Sequence, residues 1–506
     1  MVDEHFSFFS GIGIALGLLA SILAVVVELS SSQIEQTPAL RAFKFWYLTG
    51  WGICAAADWL QGPYNYVLCE DYGYERKVIA QIFLAGFVVS GVASAFVGHL
   101  ADRFGRRLAC QVYCLLYISA CITKHFNVYW ILILGRITAG IATSLLFSVF
   151  ESWVVSEMLN THKAESSSLG KILGLMYFTN YTSAIAAGLV SQSLVTWAPL
   201  TKVPSTEHLY WGGSTLPYDA SIVSLALGLV IMSLKWSENF GQKNAKARAP
   251  LPRDWMVWTL GVVCACFESA MYLFVFNYTP SLPTSPMGLV FTLFMLASMS
   301  GASLFSLVGK TRFQATDVFP LVLVIAALAL AFAAASGFSF YSTIFSYIVF
   351  EAAAGFYWPA AGSLKSRIVP EESRATVYNL YRIPLNTIVV VVLADGIDLK
   401  TSINIAASLL GLAACLSVPI AFALKRRGSS VVEASEKTQA LISSASTAEH
   451  DNSAHLGSCH FACWPGRWLL RWPLLVCLSL GACTLFHRAL GQKYFRSAIA
   501  AANRPP

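Results

Sequence analysis

Six ionisable side chains stand inside long apolar runs: Asp58, Arg136, Glu151, Glu268, Glu351 and Arg382. A charged group at mid-bilayer costs roughly 2.5–3.5 kcal/mol on insertion scales, so each marks a functional position by default. A buried carboxyl can take up and release a proton, and an arginine can hold an anion. Asp58 lies nine residues before the end of its run, and Arg136 nine residues after the start of its own. At about 1.5 Å per residue both sit ~13 Å deep from the same face. They are therefore expected to meet. Protonation of Asp58 would then release Arg136 to an anion, and loss of the proton would restore the pair. A static ion pair that fixes helix packing fits the same two residues. Glu151 and Arg382 both lie six to eight residues from their run ends on the other side, as an inner gate or a structural pair. Glu268 and Glu351 have no cation in view from sequence. A carboxyl buried without a partner becomes neutral and can donate a hydrogen bond to an oxyanion; a packing role fits equally. Neutral donors on the same segments are Trp59, Gln61, Asn65, Ser152, Tyr272, Trp358 and Asn386, with helix breaks at Gly62-Pro63 and Pro384.

The elements that hold these groups are membrane spans. Of 506 residues, 56% are hydrophobic and 12% charged. A soluble domain carries about 25% charged residues. Crossing ~30 Å of hydrocarbon takes about 20 apolar residues. A first run, 8–28, stands apart; Asp3 and Glu4 replace the basic start of a signal peptide, so it reads as an extra uncleaved helix. Twelve runs follow, near 43–67, 78–100, 107–125, 127–157, 168–196, 214–236, 254–278, 287–309, 316–335, 339–366, 375–395 and 402–424. The reading is an all-α polytopic membrane protein. An N-terminal helix and linker (1–40) precede a six-helix half (41–236), a polar, basic central loop (237–253) and a second six-helix half (254–427). The Ser-rich tail 428–506 reads as disordered over 428–458 and carries one more apolar run near 468–486, which spans the membrane, lies on it or packs on the bundle.

Lys and Arg orient the spans. Counted by alternate loops, twenty fall on the side where run one begins and five (Arg76, Lys77, Lys124, Lys202 and Lys400) on the other. That asymmetry puts the N-terminus outside and the long tail inside. The 12 cysteines form no disulfide framework. Cys459, His460 and Cys463 fall short of a structural zinc set, and reversible palmitoylation suits a cytosolic tail cysteine better. The sequon Asn277-Tyr278-Thr279 lies too near the membrane, before Pro280, for ready glycosylation. No nucleophile elbow, metal-ligand cluster or phosphate loop is present in the sequence. No catalysis, cofactor or metal is expected, and no nucleic-acid partner.

After run two comes Gly98-His99-Leu100-Ala101-Asp102-Arg103-Phe104-Gly105-Arg106-Arg107. Gly105 permits a tight turn, Asp102 can face the positive N-terminus of a partner helix, and Arg103, Arg106 and Arg107 hold the loop in the cytosol. This pattern resembles the loop signature of the major facilitator superfamily, as a conformational gate. The equivalent loop, Gly309-Lys310-Thr311-Arg312, has lost most of it.

Longer strings resemble one branch, the molybdate-anion transporters (major facilitator superfamily domain-containing protein 5). They are Asp58-Trp59-Leu60-Gln61-Gly62-Pro63, Cys121-Ile122-Thr123-Lys124-His125, Gly135-Arg136, Gly140 to Ser148, Phe150-Glu151-Ser152-Trp153, Phe267-Glu268-Ser269, Phe274-Val275-Phe276, Thr279-Pro280 and Arg382-Ile383-Pro384-Leu385-Asn386. The resemblance runs to about residue 427. It implies the major facilitator fold, with runs one, four, seven and ten lining a central cavity, and high-affinity molybdate uptake in the cell membrane. A recurrent Phe-Glu pair (150/151, 267/268, 350/351) fits duplicated halves. Alternating access of a monomer among membrane lipids is expected, with coupling to protons as one form. The residues alone leave sulfate, another small solute or a transport-inactive sensor open, because four acids against two arginines is an unfavourable balance for a dianion.

Overall fold

The computed structural model describes residues 2–29, 37–163, 166–204, 206–241, 252–283, 285–311, 315–370, 374–394 and 397–446. The apolar run near 468–486, Cys459, His460, Cys463 and most of the central loop lie outside them.

The extra helix is α1 (Val2–Leu29). Run one becomes α2 (Pro38–Gln61) and α3 (Tyr64–Asp71), split at Gly62-Pro63 because proline has no N–H to continue the ladder. Pro38 opens α2, and the Thr37 hydroxyl accepts from Leu40 N at 3.3 Å as an N-cap. Run two likewise divides, into α4 (Arg76–Ala93) and α5 (Val97–Phe104). Then come α6 (Arg106–Thr123), α7 (Tyr129–Ser156), α8 (Ser166–Trp197) and α9 (Leu216–Lys235). The second set is α10 (Trp255–Ser281), α11 (Met287–Val308), α12 (Ala315–Ala335), α13 (Phe340–Ile368), α14 (Arg374–Ala394) and α15 (Leu399–Ser446). A two-stranded ribbon, β1 (Thr201–Lys202) and β2 (Tyr210–Trp211), closes the loop before α9.

Among the described residues, seven helices are long and apolar enough to cross a membrane by length and composition alone: α4, α7, α9, α10, α11, α12 and α15. The other long helices carry polar or charged groups along their length. Examples are Asp58 in α2, Asn180 in α8, and Glu351 and Lys365 in α13. Large apolar side chains cover the outside of the bundle; Trp130, Leu234 and Phe422 are all more than 60% exposed. A continuous apolar skin of this kind suits lipid. One expectation is corrected: α15 runs on through Ser446, into the stretch read as disordered. Its Val431–Leu441 segment carries two Ala, two Glu, Lys, Gln and Leu, all good helix formers, and no Gly or Pro.

Among the first set, α2 packs on α8 and α9, and α7 packs on α4 and α6. In the second, α10 packs on α14 and α15, and α13 on α11 and α12. The sets meet along α8 with α11 and α4 with α14. Gly188 and Gly288 face each other where α8 crosses α11, and a Cβ on Gly288 would lie 2.7 Å from the Gln192 Cβ. Small residues allow this close helix approach. The extra helix α1 lies against α11, with Phe9 edge-on to Phe340 of α13.

Candidate transport site

A group of polar and aromatic contacts between the two sets lies at the end away from the Gly98–Arg107 loop. Arg76, at the start of α4, donates through Nη2 to Asn277 Oδ1 of α10 at 2.5 Å and to the Ile397 carbonyl at 3.4 Å. Its guanidinium lies 5.1 Å from the centre of the Phe276 ring. The amide of Asn277 is oriented for this bond, because its Nδ2 donates to the Leu273 carbonyl at 2.6 Å and Ser402 Oγ at 2.7 Å. Tyr66 and Phe83 of the first set each pack on Phe276 at 5.5 Å, and Phe87 packs on Tyr272 at 4.8 Å. Gln192 of α8 accepts from Tyr64 Oη and from Gly288 N, both at 3.1 Å, bridging the sets again. Asn277 is 0% exposed, so the sequon has no accessible amide in this conformation.

The structure separates two expected pairs. Asp58 accepts a hydrogen bond from Tyr117 of α6. Arg136 lies over the Phe83 ring at 4.2 Å, and its Nε and Nη2 are buried without a hydrogen-bond partner. No ion pair joins Asp58 to Arg136, or Glu151 to Arg382, among the described residues. Equal depth along two helices does not set the rotation of either about its axis. Both Glu151 and Arg382 are half-buried; Glu151 lies near Tyr47 and Tyr177, and Arg382 near Tyr272.

Glu268 is corrected in the opposite direction. Lys365, counted in the sequence only for the orientation of the spans, lies within α13 and approaches Glu268 Oε1 at 3.3 Å. Glu351, 5% exposed, accepts from Ser298 Oγ of α11 at 2.6 Å. The repeated phenylalanines Phe150, Phe267 and Phe350 are all 0% exposed, so the motif pairs a core ring with a carboxylate one step round the helix.

Most neutral donors are already engaged. Trp59 Nε1 donates to Asn180 Oδ1 at 3.0 Å, while its ring meets Phe291 of the second set at 5.6 Å. Gln61 bonds the Ala57 carbonyl, and Asn65 bonds the Gln61 carbonyl while accepting from Tyr218 Oη at 3.1 Å. Ser152 Oγ donates to Ser148 O of its own helix. Asn386 fits against Gly91, where a Cβ would lie 2.6 Å from its Nδ2. Trp358 is 42% exposed beside Phe267 and Tyr357.

At the opposite end the signature loop is built around a glycine that no other residue can replace without strain. Gly105 has φ +117°, and a Cβ there would lie 2.6 Å from the Glu238 carboxyl carbon. Having no side chain, Gly105 cannot cap α6; Glu238 does so from beyond α9, accepting from Arg107 N at 2.8 Å and Leu108 N at 3.1 Å. Arg107 Nη1 donates to the Trp236 carbonyl, and Arg106 Nη1 to that of Ser152. Asp102 pairs with Arg106 at 2.7 Å rather than with a helix N-terminus. Arg103 is exposed over Phe104, and Gly98 lies in α5 with open space beside its Cα. Replacing Glu238 with Ala removes the α6 cap and should lower stability by about 1 kcal/mol, the usual worth of an N-cap; thermal unfolding in detergent would read it.

A family model described as sugar transporters with twelve membrane spans matches residues 8–347. Curated relatives carry a different substrate name. The molybdate-anion transporter of Xenopus tropicalis is 32% identical over 395 residues, 74% of this chain and 84% of its own. That of Danio rerio is 32% identical over 420 residues, 73% and 83%. The chain belongs to the molybdate-anion transporter family of the major facilitator superfamily. Solved structures share the fold at low identity. The POT family transporter PepTSo has a TM-score of 0.61 at 11% identity, covering 78% of this chain and 99% of its own. An inward-facing bacterial homologue of the iron transporter ferroportin has a TM-score of 0.59 at 13% identity, covering 76% and 100%.

For this transporter, four residues now stand out that sequence reasoning did not select: Arg76, Tyr117, Gln192 and Lys365. Arg76 and Lys365 had been counted only for their charge in loops. Tyr117 and Gln192 are ordinary helix residues in sequence and gain meaning only from the element opposite.

Proposed function

We propose that this protein carries molybdate into the cell by alternating access, and that the structure is the state closed to the outside and open toward the cytosol. The observation that carries the conformational reading is the clustering of Arg76, Phe276, Asn277 and Gln192 contacts at the end away from the basic signature loop. Positive residues favour the cytosol, which makes the Arg76 end external. Molybdate comes from the relatives' names, since four acids and two arginines do not select a dianion by themselves.

In this reading the two helix sets rock about a midplane site. Opening the external end parts Arg76 from Asn277 and Phe83 from Phe276; closure restores them behind the bound anion. Asp58 is the coupling group: protonated, it leaves Arg136 to the anion; deprotonated, it draws Arg136 back. The unpaired Arg136 nitrogens fit the arm of that cycle in which Asp58 does not hold Arg136. The sign follows directly. Proton-coupled uptake rises as external pH falls, and Asp58→Asn flattens the profile.

Cells lacking their own uptake, given nanomolar molybdate across a range of external pH, test this. Accumulation that needs the protein and rises toward acid pH supports both parts. Accumulation indifferent to pH keeps the substrate and discards the coupling. Surface-expressed protein without accumulation overturns the molybdate reading.

A further inference from the structure

A dianion needs more positive charge than Arg136 alone, and a second buried cation lies beside it. Lys124 follows the last residue of α6 and is 2% exposed. Its backbone is fixed on both sides: its N–H donates to the Cys121 carbonyl at 3.1 Å, and its carbonyl accepts from Tyr72 Oη at 2.6 Å. Its Nζ is buried and has no hydrogen-bond partner. Lys124 and Arg136 are within electrostatic reach of each other, and the Cys69 thiol of α3 is within reach of both.

The nearby acids are turned elsewhere. Asp219 Oδ1 lies 3.0 Å from His125 Nε2, Asp71 accepts from Ser214 Oγ at 2.6 Å, and Asp58 accepts from Tyr117. Two like charges buried together, with three nitrogens unsatisfied, are costly to leave without a counter-charge. An anion would supply that charge and accept those hydrogen bonds. The arginine fork suits two oxygens of a tetrahedral oxyanion, and a lysine reaches a third as a point charge. Access is also built in. Arg136 lies under Phe83, and Phe83 is covered by Phe276 of the other helix set, so parting the two sets uncovers its edge.

We propose that Lys124 and Arg136 together form the oxyanion site of the first helix set, with Lys124 supplying the second positive charge that a dianion requires. This rests on the molybdate reading above.

Thermal unfolding of the purified full chain in detergent, with and without sodium molybdate at matched ionic strength, tests it. Wild type should be stabilised by molybdate. Lys124→Met should lose that shift while unfolding no earlier than wild type without anion, because an unpaired buried charge has been removed. Lys124→Arg should keep part of the shift, and in cells Lys124→Met should raise the KM for molybdate at least tenfold. Arg136→Met carries the same prediction for the shift, so either side chain tests the site. Full molybdate stabilisation in Lys124→Met or Arg136→Met would overturn the proposal. No stabilisation of wild type would instead overturn the substrate reading on which it rests.

Discussion

Replacing Arg76 with Ala should tip the protein toward the state open to the outside. The substitution removes a charge-assisted hydrogen bond to Asn277, a longer one to the Ile397 carbonyl and a cation–π contact with Phe276, all of which cross between the helix sets. A hydrogen bond to a charged group contributes about 1.5–3 kcal/mol, and each 1.4 kcal/mol is tenfold in an equilibrium. The population of open molecules should therefore rise on the order of 10- to 100-fold. Tyr66, buried against Phe276, is a suitable reporter. A cysteine at that position should react with an impermeant thiol reagent at least tenfold faster in the Arg76→Ala background. An unchanged rate would mean that Arg76 does not hold the external end shut.

The second large effect concerns the pair inside the C-terminal helices. Lys365→Met leaves Glu268 without its cation in a site where both side chains are at most about one-fifth exposed. Breaking a buried pair from one side costs about 3–5 kcal/mol, whereas removing both charges is often neutral. Lys365→Met should therefore be produced poorly and unfold early, and adding Glu268→Gln should restore most of the stability. Thermal unfolding of the two single variants and the double variant separates these cases. If the double variant is no better than Lys365→Met, the pair is not what Lys365 contributes.

The all-α architecture was legible because hydropathy reports long apolar runs directly. The break at Gly62-Pro63 and the glycine of the signature loop followed from residue type, but the break expected at Pro384 did not form: α14 runs through it. Partners were far less legible. Depth placed Asp58 beside Arg136, but a partner also depends on which way each helix faces, and Tyr117 faces Asp58 instead. Lys365 was passed over because it stands one residue from the end of its apolar run, where a lysine counts toward orientation; within α13, which continues to Ile368, it turns inward. Lys124, next to the end of its own run and just past α6, was likewise counted only for orientation, yet it is buried. In both cases the long lysine stem lets a charge at a span end reach back into the interior.

The central claim is that this chain moves molybdate through a site exposed alternately to the two faces. Counterflow in liposomes tests it most directly. Purified protein is reconstituted, the liposomes are loaded with unlabelled molybdate, and a trace of radiolabelled molybdate is added outside. Alternating access predicts that the label accumulates transiently above its equilibrium level, and that protein-free liposomes show no such overshoot. Protein-containing liposomes without the overshoot, from a preparation that unfolds cooperatively, would contradict it.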